Sequence, residues 1–217
     1  MKHIRNVLGT AVLTALVVIL ACGKVFSQLE TPYEKSGGTQ SATYEEVMEF
    51  YTQLKTTSPK VRIEEYGTTD IGEPLHLVII ADEELKAVKP DYLKRTGKLI
   101  MLVNNGIHAG ESCGVDASML LAREVATNRK YEPLLENCVL VLIPLYNIGG
   151  GLNRGCCSRT NQQGPEEHGF RGNARNLDLN RDFIKCDSRN AQSFNKIIAA
   201  WRPHLFFDTH TTNGADY

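Results

Sequence analysis

The sequence Lys98-Leu-Ile-Met-Leu-Val-Asn-Asn-Gly-Ile-His-Ala-Gly-Glu111 joins an uninterrupted apolar run to a polar turn. Such a run is typical of a central strand that is covered on both faces, and 98–104 is therefore predicted to be a strand. A second apolar run, residues 138–145, has the same character. Between the two runs, apolar residues recur at helical spacing over 112–127, which predicts a helix.

Further elements extend this alternation in both directions along the chain. Thr43 and Glu46 form a capping-box signal at the start of a predicted helix. Strands that alternate with helices predict an α/β fold, a mixed and mostly parallel sheet sandwiched by helices. The polar, Gly-rich residues 28–42 are interpreted as a linker that precedes the domain, 43–217. The other predicted elements are helices at 44–56 and 188–202 and strands at 61–66, 75–81 and 204–209.

Composition excludes several classes of protein. The 217 residues include 24 Lys and Arg against 25 Asp and Glu, a net charge of −1 that argues against a broadly basic nucleic-acid-binding protein. A hydrophobic content of 42% suits a folded globular domain. Apart from Cys22, the cysteines are odd in number, so at least one is expected to be unpaired in the monomer, and several are expected to be buried free thiols. Cys156 and Cys157 are adjacent, and the sequence assigns them no partners.

The N-terminus has the pattern of a secretory signal. Lys2 and Arg5 precede an apolar stretch from Val7 to Cys22, which predicts a signal peptide over 1–27 and export to the periplasm or the medium. Two cleavage sites compete: one would leave a lipidated Cys22, and the other follows Ser27. A single membrane anchor is the alternative interpretation, and no stable membrane span is expected beyond this segment.

Polar residues follow the predicted strands at one edge of the sheet, where sites lie in parallel α/β folds. His108 and Glu111 follow the first strand at a spacing that lets an imidazole and a carboxylate reach one ion, and His210 follows the last strand. Two close ligands and one distant ligand leave an open position for water, the arrangement of catalytic zinc. Taken singly, a turn histidine or a carboxylate at a helix start explains each residue equally well.

A second cluster, residues 170–182, is rich in arginine and asparagine. The guanidinium group of Arg181, next to Asn180, has the geometry to bind a substrate carboxylate through two hydrogen bonds. A solvated surface loop with local Arg–Asp pairs is the alternative interpretation.

These motifs together resemble the zinc metallocarboxypeptidases of the carboxypeptidase A and T kind, from about Thr43 to Tyr217. The resemblance rests on Gly106-Ile-His-Ala-Gly-Glu111, on Asp178-Leu-Asn-Arg181 and on Asp208-Thr-His210, in that order. It implies one zinc ion and hydrolysis of the C-terminal amide bond of a peptide with a free carboxylate. The roles that it implies are metal ligands (His108, Glu111 and His210), carboxylate binding (Asn180 and Arg181), polarisation of the scissile carbonyl (Arg171, with Arg159 and Arg175 as alternatives) and orientation of His108 by a hydrogen bond (Asp178).

The chain also departs from the family pattern. Gly110 stands where many members carry an arginine that contributes to substrate binding. The family's general-base glutamate lies well beyond the third zinc ligand, whereas this chain ends seven residues after His210. Glu166 and Glu167 precede Arg171, and the sequence does not show whether their side chains reach the site. We therefore expect an N-terminal portion of the catalytic domain, incomplete at the C-terminus and without the general base. A non-catalytic peptide- or glycan-binding module on the same scaffold is the alternative.

Overall fold

The computed structural model of the protein describes residues 29–82 and 90–211. The predicted signal segment 1–27, with Cys22 and both cleavage sites, lies outside the described residues. Among the helices that are described, none has both the length and the apolar character needed to cross a bilayer.

A five-stranded mixed sheet confirms the predicted fold class. Its spatial order is β1-β2-β4-β3-β5. Within it, β3 pairs in parallel with β4 and β5, whereas β2 pairs antiparallel with β1 and β4. One half of the sheet is therefore parallel and the other antiparallel, a more even balance than the mostly parallel sheet that was expected. The strands are β1 Val61–Thr68, β2 Pro74–Ile80, β3 Leu99–Asn105, β4 Cys138–Ile143 and β5 Leu205–Thr209.

Seven helices and two short 3₁₀ turns are present in the described parts of the chain. The predicted capping box is confirmed: Thr43 accepts the N–H of Glu46, whose carboxylate accepts the N–H of Thr43. The helices are α1 Pro32–Lys35, α2 Tyr44–Thr57, α3 Pro90–Thr96, α4 Cys113–Thr127, α5 Glu132–Asn137, α6 Ile148–Leu152 and α7 Arg189–Trp201, and the 3₁₀ turns are Arg129–Tyr131 and Leu179–Arg181.

Alternation along the strands creates two buried faces. Leu77 and Ile79 of β2 lie in one apolar cluster with Phe194 and Trp201 of α7. The intervening residue Val78 is also fully buried and points to the opposite face, because successive side chains of a strand alternate. Since α4 contacts β2, β3 and β5, helices cover the sheet as the apolar runs predicted.

Residues 31–42 pack against the domain, whereas a linker was predicted for residues 28–42. Arg123 of α4 holds Glu34 through two hydrogen bonds of 2.7 and 2.8 Å. The N–H of Ala42 bonds the carboxylate of Asp116, also on α4, and Thr31 is fully buried. The polar groups of this segment form hydrogen bonds with the domain. A polar composition alone does not distinguish such a segment from a solvated linker.

The cysteines also differ from expectation. Cys156 and Cys157 form a disulfide with each other. Of the three free thiols among residues 29–82 and 90–211, Cys138 is buried, Cys186 is half-buried and Cys113 is exposed. The expectation that several thiols would be buried is therefore wrong for all but Cys138.

Candidate metal centre

The turn after β3 brings two candidate ligands together. Gly106 has a positive φ of 64°, and a Cβ at this position would collide with the side chain of Leu145, so the turn requires glycine. The chain then closes a tight turn in which the carbonyl of His108 accepts the N–H of Glu111 at 2.9 Å. Both side chains consequently point to the same side of the strand end.

The third candidate arrives on the neighbouring parallel strand. Asn105 of β3 pairs with Thr209 of β5. His210, the residue after Thr209, therefore lies level with the start of the turn that follows β3. The rings of His108 and His210 lie edge to face with centroids 5.0 Å apart. One ligand atom from each of His108, Glu111 and His210 lies within 4.8 Å of the other two. The structure thus brings together the three residues that the sequence separates by up to 102 positions.

The two ring nitrogens of His108 face different partners. Nε2 lies 3.1 Å from Oδ1 of Asp178, and Nδ1 lies 2.9 Å from Oε1 of Glu111. With Glu111 ionised, the contact at Nδ1 is a hydrogen bond that His108 donates. On metal binding, a proton kept on Nε2 and donated to Asp178 would leave the Nδ1 lone pair for the metal. Asp178 therefore occupies the position that its implied orienting role requires.

Glu111 is buried, yet it is held in the charged form. Burial alone would raise its pKa, but hydrogen bonds with His108 and with the N–H of Thr211, and the charge of Arg159, lower the pKa to about 2. Arg159 Nη1 lies 2.9 Å from Oε1, and Thr211 N lies 2.7 Å from Oε2. A deprotonated carboxylate is the form that binds a metal ion.

The three candidate arginines differ in their partners and in their distance from the metal ligands. Arg171 donates to Oδ2 of Asp178 from Nη2 at 2.9 Å, and its side chain is half exposed. Arg159 is nearly buried against Glu111. Arg175 instead donates to the carbonyl of Asp187, so the structure does not bring it to the metal ligands.

The 3₁₀ turn Leu179–Arg181 carries the two candidate carboxylate-binding residues. Leu179 is fully buried in the core and anchors the turn. Asn180 Nδ2 donates to Nε2 of His210 at 3.1 Å. Arg181 is exposed and donates to the carbonyl of Asn180 at 3.0 Å, which leaves guanidinium N–H groups accessible to solvent.

A cavity of about 330 Å³ opens at this edge of the sheet. Of the acidic side chains in the described residues, Glu111 lines this cavity, whereas Glu166 and Glu167 do not. The remaining lining residues are His108, Ser158, Arg159, Thr160, Arg171, His210 and Thr211.

The donor set fits zinc. Two imidazoles and one carboxylate are the ligands of a catalytic zinc site that keeps a position open. The ligand atoms converge on one point, two of the three side chains are buried, and the acid is ionised. His76 and His204 lie elsewhere: His76 contacts Tyr44, and Nδ1 of His204 accepts the N–H of Ile100.

Sequence reasoning missed the partners of Glu111. Arg159 was weighed only as an alternative to Arg171, and Thr211 was not singled out. Neither carries a local signal, since both reach Glu111 from distant segments of the chain. Gly110 gives a partial clue, because a Cβ there would lie 2.6 Å from Cδ of Arg159, so the arginine stem needs a residue without a side chain.

Comparison with known proteins agrees with this geometry. The family model described as zinc carboxypeptidase, Peptidase_M14, matches residues 47–205. The chain belongs to this family.

Individual relatives are distant. Carboxypeptidase 2 of Trichophyton rubrum is 24% identical over 178 residues, which cover 81% of this chain and 30% of that protein. The chain thus spans about a third of the length of the curated relatives it matches.

Solved structures show the same fold. A metallo-carboxypeptidase from Burkholderia cenocepacia superposes with a TM-score of 0.62 at 19% identity, covering 82% of this chain and 43% of that one. The Pseudomonas aeruginosa metallo-carboxypeptidase in complex with (2-guanidinoethylmercapto)succinic acid gives 0.58 at 19% identity, covering 80% and 40%.

Proposed function

We propose that the protein is a zinc-dependent metallocarboxypeptidase that hydrolyses the C-terminal amide bond of a peptide. The observation that carries the proposal is the convergence of His108, Glu111 and His210 at the ends of two neighbouring parallel strands. Membership of the zinc carboxypeptidase family supports the same chemistry.

The ligands would act through their partners. Asp178 would accept a hydrogen bond from Nε2–H of His108, and Arg159 and the Thr211 N–H hold Glu111 in its ionised form. When bound, zinc supplies Lewis-acid activation of a water molecule and of the scissile carbonyl.

The remaining residues bind and orient the substrate. Asn180 and Arg181 would hold the terminal carboxylate, since a guanidinium forms two parallel hydrogen bonds with a carboxylate. Arg171, half exposed beside His108, would turn from Asp178 toward the scissile carbonyl and stabilise the oxyanion. We propose no general base among residues 29–82 and 90–211.

The predicted signal segment extends the proposal to location. A chain that begins with the pattern of residues 1–27 would be exported, to the periplasm or the medium, or retained as a lipoprotein through Cys22. Its partner there would be a peptide with a free C-terminal carboxylate rather than a nucleic acid.

Zinc content tests the metal centre directly. We expect about one zinc per full chain by elemental analysis, and loss of that zinc in His108→Ala and in His210→Ala. His76→Ala is the matched control, since His76 lies on β2 away from the site, and it should keep its zinc. A folded chain that binds no zinc, or variants that retain it, would overturn the proposal.

Peptide binding tests the substrate class. Calorimetry with an N-acylated dipeptide should detect binding when the C-terminus is free and not when it is amidated. Arg181→Gln should lose this discrimination, whereas Arg189→Gln, an exposed arginine on α7, should retain it. Binding together with release of the terminal amino acid supports the enzyme, and binding without release favours the peptide-binding module.

A further inference from the structure

A cavity of about 680 Å³ lies beside the candidate metal centre, between α1, the first turns of α4 and residues 163–166. Its walls include the ring of Tyr33 and the side chains of Ala117, Leu120 and Pro165. Tyr33 is 47% exposed, so this apolar surface is open to solvent.

The cavity adjoins the candidate metal centre through a third cavity. A smaller cavity of about 360 Å³ shares Ser112, Cys113 and Pro165 with it. The same smaller cavity shares Glu111 and Thr211 with the cavity that contains the metal ligands. The three cavities therefore lie side by side in a row from Glu111 to Tyr33, which we call the α1–α4 groove.

The walls of the groove are fastened to each other. Arg154 donates to the carbonyls of Ser41 and Ala42 on one wall and to the carbonyl of Glu167 next to the other. On the first wall, α1 is held to α4 by the two hydrogen bonds between Arg123 and Glu34. The groove is thus preformed, which lowers the entropy cost of binding a ligand in it.

The chemistry of the lining selects the occupant. The charged side chains that line the large cavity, Asp116 and Glu166, are both acids. An apolar or aromatic side chain would gain from contact with Tyr33 and Leu120, whereas a carboxylate on the ligand would be repelled by these two acids. One wall, residues 33–41, precedes the span 47–205 that the family model matches.

We propose that the α1–α4 groove binds the part of a peptide substrate that precedes the scissile bond, with an apolar or aromatic side chain in the large cavity. The inference rests on the proposed function, because the peptide enters the groove from the metal centre. An extended octapeptide spans roughly 26 Å, enough to run through linked cavities that a tripeptide would leave empty.

Calorimetry on the metal-free full chain tests the inference without hydrolysis. The ligands are a tripeptide and an octapeptide that share their last three residues, the octapeptide carrying phenylalanine in its first half. We expect the octapeptide to bind about tenfold more tightly, the contribution of one buried aromatic side chain. Replacing that phenylalanine by glutamate should make the affinity of the octapeptide equal to that of the tripeptide.

Two variants locate the effect. Ala117→Trp places a bulky ring in the groove and should reduce octapeptide affinity to that of the tripeptide, with tripeptide binding unchanged. Leu121→Trp introduces the same residue at an exposed position of α4 outside the groove and should change neither affinity. Unchanged tripeptide binding also shows that each variant is folded.

The outcomes separate the two proposals. Equal affinities for both peptides, or an octapeptide that tolerates Ala117→Trp, overturn the groove and leave the proposed function standing. Binding of neither peptide to a folded chain overturns both.

Discussion

Two buried carboxylates, five residues apart, lie in regions of opposite electrostatic character. Glu111 lies at the candidate metal centre among cationic and N–H donors, which lower its pKa to about 2. Asp116 lies on α4 against residues 41–42, where burial raises its pKa to about 6, although the N–H of Ala42 and the charge of Arg154 act in the opposite direction. Both residues are less than a tenth exposed. Burial does not by itself determine the charge of an acid, since the number and kind of its partners decide.

The largest effect is expected for Glu111→Gln in the metal-free chain. The pKa of this group falls from an ordinary 4.5 to about 2, so its charge contributes stability above pH 4.5 that is lost as the pH falls through 2. Urea unfolding at pH 7 should show a loss of about 3 kcal/mol, and the gap to the wild type should narrow below pH 4.5. An equal loss of unfolding free energy at all pH values would mean that Glu111 stabilises the fold through packing and not through its charge.

The matched substitution Asp116→Asn should have the opposite sign. The wild-type carboxyl carries no penalty below its ordinary pKa of 3.8, where it is protonated in both states. The penalty grows as the pH rises from 3.8 to 6 and is complete above 6. The asparagine keeps an oxygen to accept the N–H of Ala42. We expect a gain of about 2 kcal/mol at pH 7.5 and almost none at pH 4, measured by urea unfolding. Destabilisation at pH 7.5 would contradict the comparison.

Asp178→Asn tests the hydrogen bond that orients His108 at the candidate metal centre. An amide still accepts the Nε2–H of His108, but it brings no negative charge to the ring. Chelator competition should show zinc affinity about tenfold weaker, the usual cost of removing a partner of a metal ligand. Asp187→Asn, an exposed acid nearby in the sequence, should leave the affinity unchanged.

Thr43→Ala should have the smallest effect. Its hydroxyl accepts the N–H of Glu46 at 3.2 Å and caps α2 directly after Ala42. Loss of this cap should cost about 1 kcal/mol of unfolding free energy. Thr43→Ser should recover most of it, and a threonine cap that contributes nothing would show that tertiary contacts alone hold residues 41–43.

Local patterns were enough for the elements that form the sheet. The continuous apolar runs at 98–104 and 138–145 predicted strands buried on both faces, which β3 and β4 are. Thr43 and Glu46 predicted the start of α2 because a capping box involves only neighbouring residues. Residues 31–42 were misread because their polar side chains find partners on α4 and at Arg154, far along the chain.

By itself, the sequence determined which side chains can hold a metal and which strands carry them, since the spacing of His108 and Glu111 and the apolar runs are local properties. Only the tertiary structure decided that His210 arrives beside them, because that depends on the parallel pairing of β3 with β5. It also decided the charge of Glu111 and of Asp116, because a carboxyl group's pKa depends on the donors and the burial that the whole fold places around it.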